Sequence, residues 1–151
     1  MTRFFTLLFI ALLPLCLSSC LDSECNDDTE AYVKASFYSY ETKQTLVPDS
    51  ITLYGVGNDV KIYDNQRITP PAFIPLKDSA DETQFVIEIN GAVDTITFIY
   101  TSFPHIISKE CGYSMFRTID SIYFTNNEID SIALINPNVT LINVENVSIF
   151  Y

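Results

Sequence analysis

Tryptophan is missing from this 151-residue chain, and histidine occurs once, at His105. The first absence removes the broadest aromatic surface for stacking on a sugar. The second leaves too few imidazoles for a zinc site, which needs three or four closely spaced His or Cys ligands. It also leaves one candidate for Ser-His-Asp or Cys-His chemistry, which needs a histidine held by a third group. His105 follows Pro104 and precedes Ile106-Ile107 in a stretch that reads as irregular, so it is taken as structural, and no catalytic residue is expected. Glycine is scarce, at four residues, and Gly55-Val56-Gly57 reads as a hairpin rather than a phosphate cradle. No Asp-x-Asp-x-Asp-Gly calcium loop occurs. No metal and no cofactor are therefore expected. Basic residues are few: 8 Lys and Arg stand against 19 Asp and Glu, for a formal charge of −11. Phosphate contacts need clustered Lys and Arg, so nucleic acid is excluded as a partner. Paired carboxylates of the kind that hydrolyse glycosides stay open, because their separation is set by the fold.

What is present begins with Arg3 and an apolar run from Phe4 to Leu17. The run is too short for a comfortable membrane span, which needs about 20 apolar residues. It fits the hydrophobic region of a secretory signal, expected to be helical in the precursor. Small residues follow, and then a cysteine: Leu17-Ser18-Ser19-Cys20. That tetrapeptide is similar to the lipobox of bacterial lipoproteins. The resemblance implies cleavage before Cys20, a diacylglycerol on its sulfur and an acyl chain such as palmitate on its new amino group. Three acyl chains exceed the two signals that stable anchoring needs. An ordinary signal peptide cut at another point, or a short membrane helix, is the alternative. Residues 1–19 are thus read as a lipoprotein signal peptide. Residues 20–30, polar and acidic with Asp22, Glu24, Asp27, Asp28 and Glu30, are read as a tether. The acidic residues resemble the export signal of surface-displayed lipoproteins of Bacteroidetes; a merely solvated linker is the equal alternative.

Removing residues 1–19 from 151 leaves 132 residues, and losing Arg3 takes the charge from −11 to −12. That is one domain by size, with room for a real core. Of the four cysteines, Cys16 leaves with the signal and Cys20 carries lipid. Cys25 and Cys111 remain, exported to an oxidising space, and read as one disulfide. The chain-entropy model gives roughly 4–5 kcal/mol for a loop of about 85 residues. Two free thiols are the alternative.

The remainder, residues 31–151, reads as all-β: an immunoglobulin-like antiparallel β-sandwich of eight or so short strands, with a small barrel second. Val33, Ala35 and Phe37 alternate with Lys34, Ser36 and Tyr38, which predicts a half-buried strand over 31–40. Further strands are predicted over 50–56, 60–63, 73–76, 84–89, 93–103, 120–124, 131–135 and 144–151. Gly57-Asn58 marks one hairpin turn. Asn90-Gly91 between alternating apolar runs marks another, the strongest short-range hairpin signal in the chain. It should place Phe85, Ile87, Ile89, Ile96, Phe98 and Tyr100 in the core, with Thr95, Thr97 and Thr101 outside. Residues 104–112 are expected to be irregular.

Asp-Ser/Thr-apolar occurs five times, beginning at Asp49, Asp78, Asp94, Asp120 and Asp130. Four of the five lie where a strand is predicted to begin, and turn chemistry alone could generate that. The tripeptide also resembles the O-glycosylation acceptor of exported Bacteroidetes proteins. On that resemblance Ser50, Ser79, Thr95, Ser121 and Ser131 are candidate glycan sites. Ser79, in a polar loop, is the best placed, since a glycan must sit on the surface. The Asn138-Val139-Thr140 and Asn146-Val147-Ser148 sequons read as chance.

Three segments together carry a wider resemblance: Asp49-Ser50-Ile51-Thr52-Leu53-Tyr54-Gly55-Val56-Gly57, Pro104-His105-Ile106-Ile107-Ser108, and Glu110-Cys111-Gly112-Tyr113-Ser114-Met115-Phe116. They resemble a family of small Bacteroidetes lipoproteins classed only as a domain of unknown function. The resemblance covers nearly the whole mature chain, Cys25 included. It implies a shared β-fold, an envelope location in the outer membrane (periplasmic or surface-exposed) and a protein partner such as an outer-membrane β-barrel. It transfers no catalytic residue. The function expected is a non-enzymatic, lipid-anchored envelope protein that binds a protein partner or is structural. A glycan-binding surface module is the alternative, with Tyr32, Tyr38, Tyr40, Tyr54 and Tyr63 able to stack on sugars. A hydrolase comes third.

Overall fold

The computed structural model describes residues 24–151. The expected signal peptide and its helix, the expected lipidation site Cys20 and the start of the expected tether lie outside the described residues. Ten strands follow, and among the described residues there is no helix: β1 (Tyr32–Tyr38), β2 (Ile51–Gly55), β3 (Lys61–Gln66), β4 (Ala72–Pro75), β5 (Glu82–Ile89), β6 (Ala92–Ser108), β7 (Gly112–Phe124), β8 (Ser131–Leu134), β9 (Asn138–Val139) and β10 (Val147–Phe150). They form a four-stranded sheet in the order β4-β1-β10-β8 and a six-stranded sheet in the order β3-β2-β5-β6-β7-β9. The chain passes repeatedly from one sheet to the other. The arrangement is all-β and sandwich-like. The expectation of a wholly antiparallel sandwich is corrected at one pair, since β1 and β10 run parallel, with Ala35 opposite Val147 and Phe37 opposite Ile149.

Period-two patterning explains the packing. Val33, Ala35 and Phe37 from β1 share one apolar cluster with Ile74, Val147 and Ile149 of the same sheet and with Leu53, Ile87, Phe98 and Ile119 of the other. Burying each large side chain contributes about 1.5–3 kcal/mol. Asn90 and Gly91 turn with φ of 51° and 95°. Two positive φ values are what a two-residue type I′ hairpin requires, and only Asn, Asp and Gly adopt them cheaply. Register follows from that turn, Ile89 facing Ala92 and Phe85 facing Ile96. Phe85, Ile87, Ile89, Ile96, Phe98 and Tyr100 are all buried, while Thr95 and Thr97 are half-buried and Thr101 is exposed.

Three expectations fail. Residues 104–112 are not irregular: β6 continues to Ser108, and β7 already begins at Gly112. Lys34 does not face out. It is 5% exposed, and its Nζ donates to the Thr140 carbonyl at 3.0 Å from the loop that crosses it. Burial pushes that ammonium below its usual pKa. The last strand is confined to Val147–Phe150, because residues 144–146 are held by side-chain and loop contacts instead. Asn146 is the centre of these: it is 1% exposed, and its Nδ2 donates at 2.9 Å to the carbonyls of both Asn136 and Asn138.

Candidate functional site

The longest departure from a closed sheet is the far half of the β6–β7 hairpin. β5 pairs with β6 only as far as Glu82 opposite Ile99. β9 pairs with β7 only at Arg117 and Thr118. From Thr101 to Ser108, β6 therefore has β7 as its one strand neighbour among the described residues. A two-stranded ribbon results, roughly 25 Å long at the usual rise per residue. Pro104 is tolerated there because an edge position does not need its missing N–H. This Pro, with no clear alternation around it, is why the sequence read as irregular. A register shift between Ile99 and Tyr100 marks the ribbon's base and leaves Asp120 as the extra residue. Its carboxylate accepts from Thr101 Oγ1 at 3.0 Å.

The ribbon's two faces differ. On one, Phe103 meets Phe116 edge to face, and His105 stacks on Phe116 with centroids 4.3 Å apart and planes 12° apart. No carboxylate, hydroxyl or thiol among the described residues hydrogen-bonds the His105 ring. On the other face Ile106 and Tyr113 are cross-strand partners, 78% and 66% exposed respectively.

Arg117 fastens the base. Its side chain is 3% exposed. Nη1 donates to the carbonyls of Ala31 at 3.3 Å and Met115 at 3.0 Å, and Nη2 donates to Leu76 O at 3.2 Å and to the Asp78 carboxylate. One guanidinium thus ties β7 to the start of β1 and to the β4–β5 loop. Tyr100 holds the same loop: its hydroxyl donates to Lys77 O at 2.9 Å and lies 2.7 Å from Thr83 Oγ1.

A disulfide fastens the tip. Cys25 and Cys111 are joined, with Cα atoms 4.8 Å apart and a sequence separation of 86. The turn is shaped by Ser108 Oγ, which accepts the Cys111 N–H at 3.0 Å, and by Gly112 at φ 73°. Residues 25–31 therefore form a strap held at both ends, by the disulfide and by Arg117. A cleft of about 660 Å3 lies along it, walled by Thr29, Tyr32, Pro75, Ser79, Tyr113 and Met115. Ser114 Oγ and Arg117 Nε in its lining are buried without a partner.

The five candidate glycan positions are spread out. Ser79 is exposed in the β4–β5 loop, whereas Ser50, Thr95, Ser121 and Ser131 are half-buried on or beside strands. The aspartates of the tripeptide have structural work. Asp94, 2% exposed, accepts Thr125 Oγ1 at 2.6 Å and the N–H groups of Asn127, Glu128 and Ile129 at 2.8–3.0 Å. Burial alone would raise its pKa, but these four bonds outweigh that and hold it below the usual carboxylate value. Asp49 and Asp130 do directly precede the serines that lead into β2 and begin β8. Asp120 does not begin a strand; it is the extra residue of the β7 bulge.

Tyr32 and Tyr38 do not lie coplanar with their aromatic neighbours. Tyr32 meets Phe73 at 81°, Tyr38 meets Phe150 at 31°, and Lys43 caps the Tyr40 and Phe150 rings at 3.8 and 4.8 Å. Nor do three or more His, Cys, Asp or Glu residues among the described residues gather to hold a metal.

No curated protein and no solved structure matches the chain. A family model does, over residues 50–151, a narrower span than the resemblance drawn from the sequence because it leaves out β1 and Cys25. It takes in β2 to β10 and with them the ribbon, Arg117 and Cys111. By that match the chain belongs to DUF6452, a family of unknown function.

Proposed function

We propose that this is a non-enzymatic, lipid-anchored protein of a Bacteroidetes-type cell envelope that holds a protein partner along the β6–β7 ribbon. The fold is read as immunoglobulin-like, supported by the repeated crossing between sheets. The anchor is supported by Leu17-Ser18-Ser19-Cys20. The observation that carries the partner is the contrast between the ribbon and the other sheet edges. Exposed edges invite pairing with another chain, and proteins blunt them with short strands, charges and bulges. β9 has two residues, and β4 and β8 have four each. β3 carries the Lys61–Asp64 ion pair and two register shifts. Among the described residues the ribbon alone combines length with open backbone and apolar flanks, the arrangement used when a partner strand adds to a sheet. An outer-membrane β-barrel is the class of partner preferred.

A photo-crosslinking residue in place of Phe103 tests this in the lipidated protein, with Gln66 on the β3 edge as control. A discrete adduct from envelope membranes at position 103 and none at 66 is expected. Equal labelling at the two positions, or none at either, overturns the reading. The anchor is tested apart from it: Cys20→Ala should abolish fatty-acid labelling, and undiminished label removes that assignment.

A further inference from the structure

We infer that the ribbon tip, through Ile106 and Tyr113, rests on the lipid surface in which Cys20 is anchored. The inference rests on the lipidation reading of Cys20 and adds to it an orientation that lipidation alone does not give.

An eleven-residue tether would ordinarily let a domain tumble above a membrane. Here the disulfide shortens it. Cys25 lies five positions after Cys20, and five residue steps reach no more than about 18 Å when fully extended. Cys25 is bonded to Cys111 in the turn between β6 and β7, with Cα atoms 4.8 Å apart. The tip of the ribbon is therefore the described part of the domain that the anchor holds most tightly. Arg117 and the disulfide together keep the strap on the domain, so the constraint passes to the whole body rather than to a loose segment.

The chemistry of the tip fits that position. Ile106 and Tyr113 form the last regular cross-strand pair before the turn, and they are among the most exposed large apolar side chains described, at 78% and 66%. Tyrosine is enriched at the headgroup level because its ring is apolar and its hydroxyl is wet. The ribbon's open backbone groups must stay hydrated, so contact ends at the interface and does not enter the hydrocarbon. Glu24, Asp27 and Glu110 outnumber Lys109 around the tip, and anionic headgroups would repel that net negative charge. A zwitterionic surface is therefore the favoured one.

The absence of tryptophan makes the test direct. Ile106→Trp and, as a second probe, Tyr113→Trp each give a single-tryptophan protein; both sites are exposed, so folding should survive. Val93→Trp is the control, at a 48% exposed position roughly 40 Å back along β6 at the strand rise. The lipidated full chain is reconstituted into phosphatidylcholine vesicles with and without brominated acyl chains. Emission from position 106 or 113 is expected to fall by about half in the brominated vesicles, as for an interfacial indole, with position 93 unaffected. Flotation with the vesicles but no quenching at the tip overturns the inference and leaves lipidation standing. Equal quenching at position 93 also overturns it, since the domain would then lie flat. A chain that carries no lipid and does not float removes the anchor reading and the inference with it.

Discussion

Asn146 and Lys34 bond to each other in both directions. The Asn146 side-chain oxygen accepts the Lys34 N–H at 3.0 Å, and the Asn146 N–H donates to the Lys34 carbonyl at 2.8 Å. The pair sits just ahead of β10 and closes the parallel β1–β10 ladder one step before regular pairing starts at Ala35 and Val147. With its Nδ2 on two further carbonyls, one buried amide fixes β1, the turn before β9 and the entry to β10.

Asn146→Ala should therefore be among the most damaging single substitutions. It leaves the buried Lys34 N–H and two part-buried carbonyls without partners, and a buried group left unmet costs about 1–3 kcal/mol. A loss of roughly 3 kcal/mol or more in urea unfolding is expected. A loss under about 0.5 kcal/mol, as at a free surface site, would show that the loop can resatisfy these groups.

Asp94 gives the chain an acid-sensitive element. Its folded pKa lies below its unfolded value near 3.8. For such a group the extra stability is fully present above the unfolded value. It is lost as pH falls through the lower folded value. Stability measured by urea unfolding should hold near neutrality and decline below about pH 4. Asp94→Asn keeps the shape but gives up one acceptor oxygen and the charge, so roughly 2–4 kcal/mol should be lost near neutrality. The variant's curve should also be flatter in acid. An unchanged acid slope would place the sensitivity on other carboxylates.

How much of this was legible depended on whether the cause was local. Asn90-Gly91 states its own turn, and the alternation on either side states its register, so the β5–β6 hairpin could be read directly. Cys25 and Cys111 could be paired because few cysteines were left to choose among. The ribbon was not legible, because Pro104 argues against a strand unless the strand is known to lack a neighbour on one side. That knowledge is topological. Lys34, Asp94, Arg117 and Asn146 were hidden for a related reason: each polar residue is buried only because a loop distant in sequence supplies its partners. Arg117 in particular carried no signal beyond being one of 8 basic residues in an acidic chain.

The disulfide joins two peripheral elements, the strap and the ribbon tip. Reducing it should loosen both while leaving the shared core packed, since the domain is large enough to hold itself together. Cys25→Ser with Cys111→Ser should cost roughly 2–4 kcal/mol and lower Tm by about 10–20 °C. Hydrogen exchange should quicken first in residues 25–31 and 104–115. Global unfolding on reduction at room temperature would mean that the core alone is insufficient.

Arg117 allows the base of the ribbon to be tested separately from its tip. Three of its acceptors are backbone carbonyls, those of Ala31, Met115 and Leu76. Its ion pair with Asp78 joins a guanidinium that is 3% exposed to a carboxylate that is 75% exposed, so water screens the carboxylate while its removal leaves the buried guanidinium without a counter-charge. Asp78→Ala should then cost about 1 kcal/mol in urea unfolding, less than loss of the carbonyl fork. Arg117→Lys keeps the charge and loses the planar fork, so it cannot reach Ala31, Met115 and Leu76 together. A loss of about 2–3 kcal/mol is expected, from carbonyls left buried without donors. Exchange of the strap amides should quicken in Arg117→Lys even with the disulfide intact. Equal destabilisation by Asp78→Ala and Arg117→Lys would mean that the charge pair, and not the carbonyl fork, holds the strap to the ribbon.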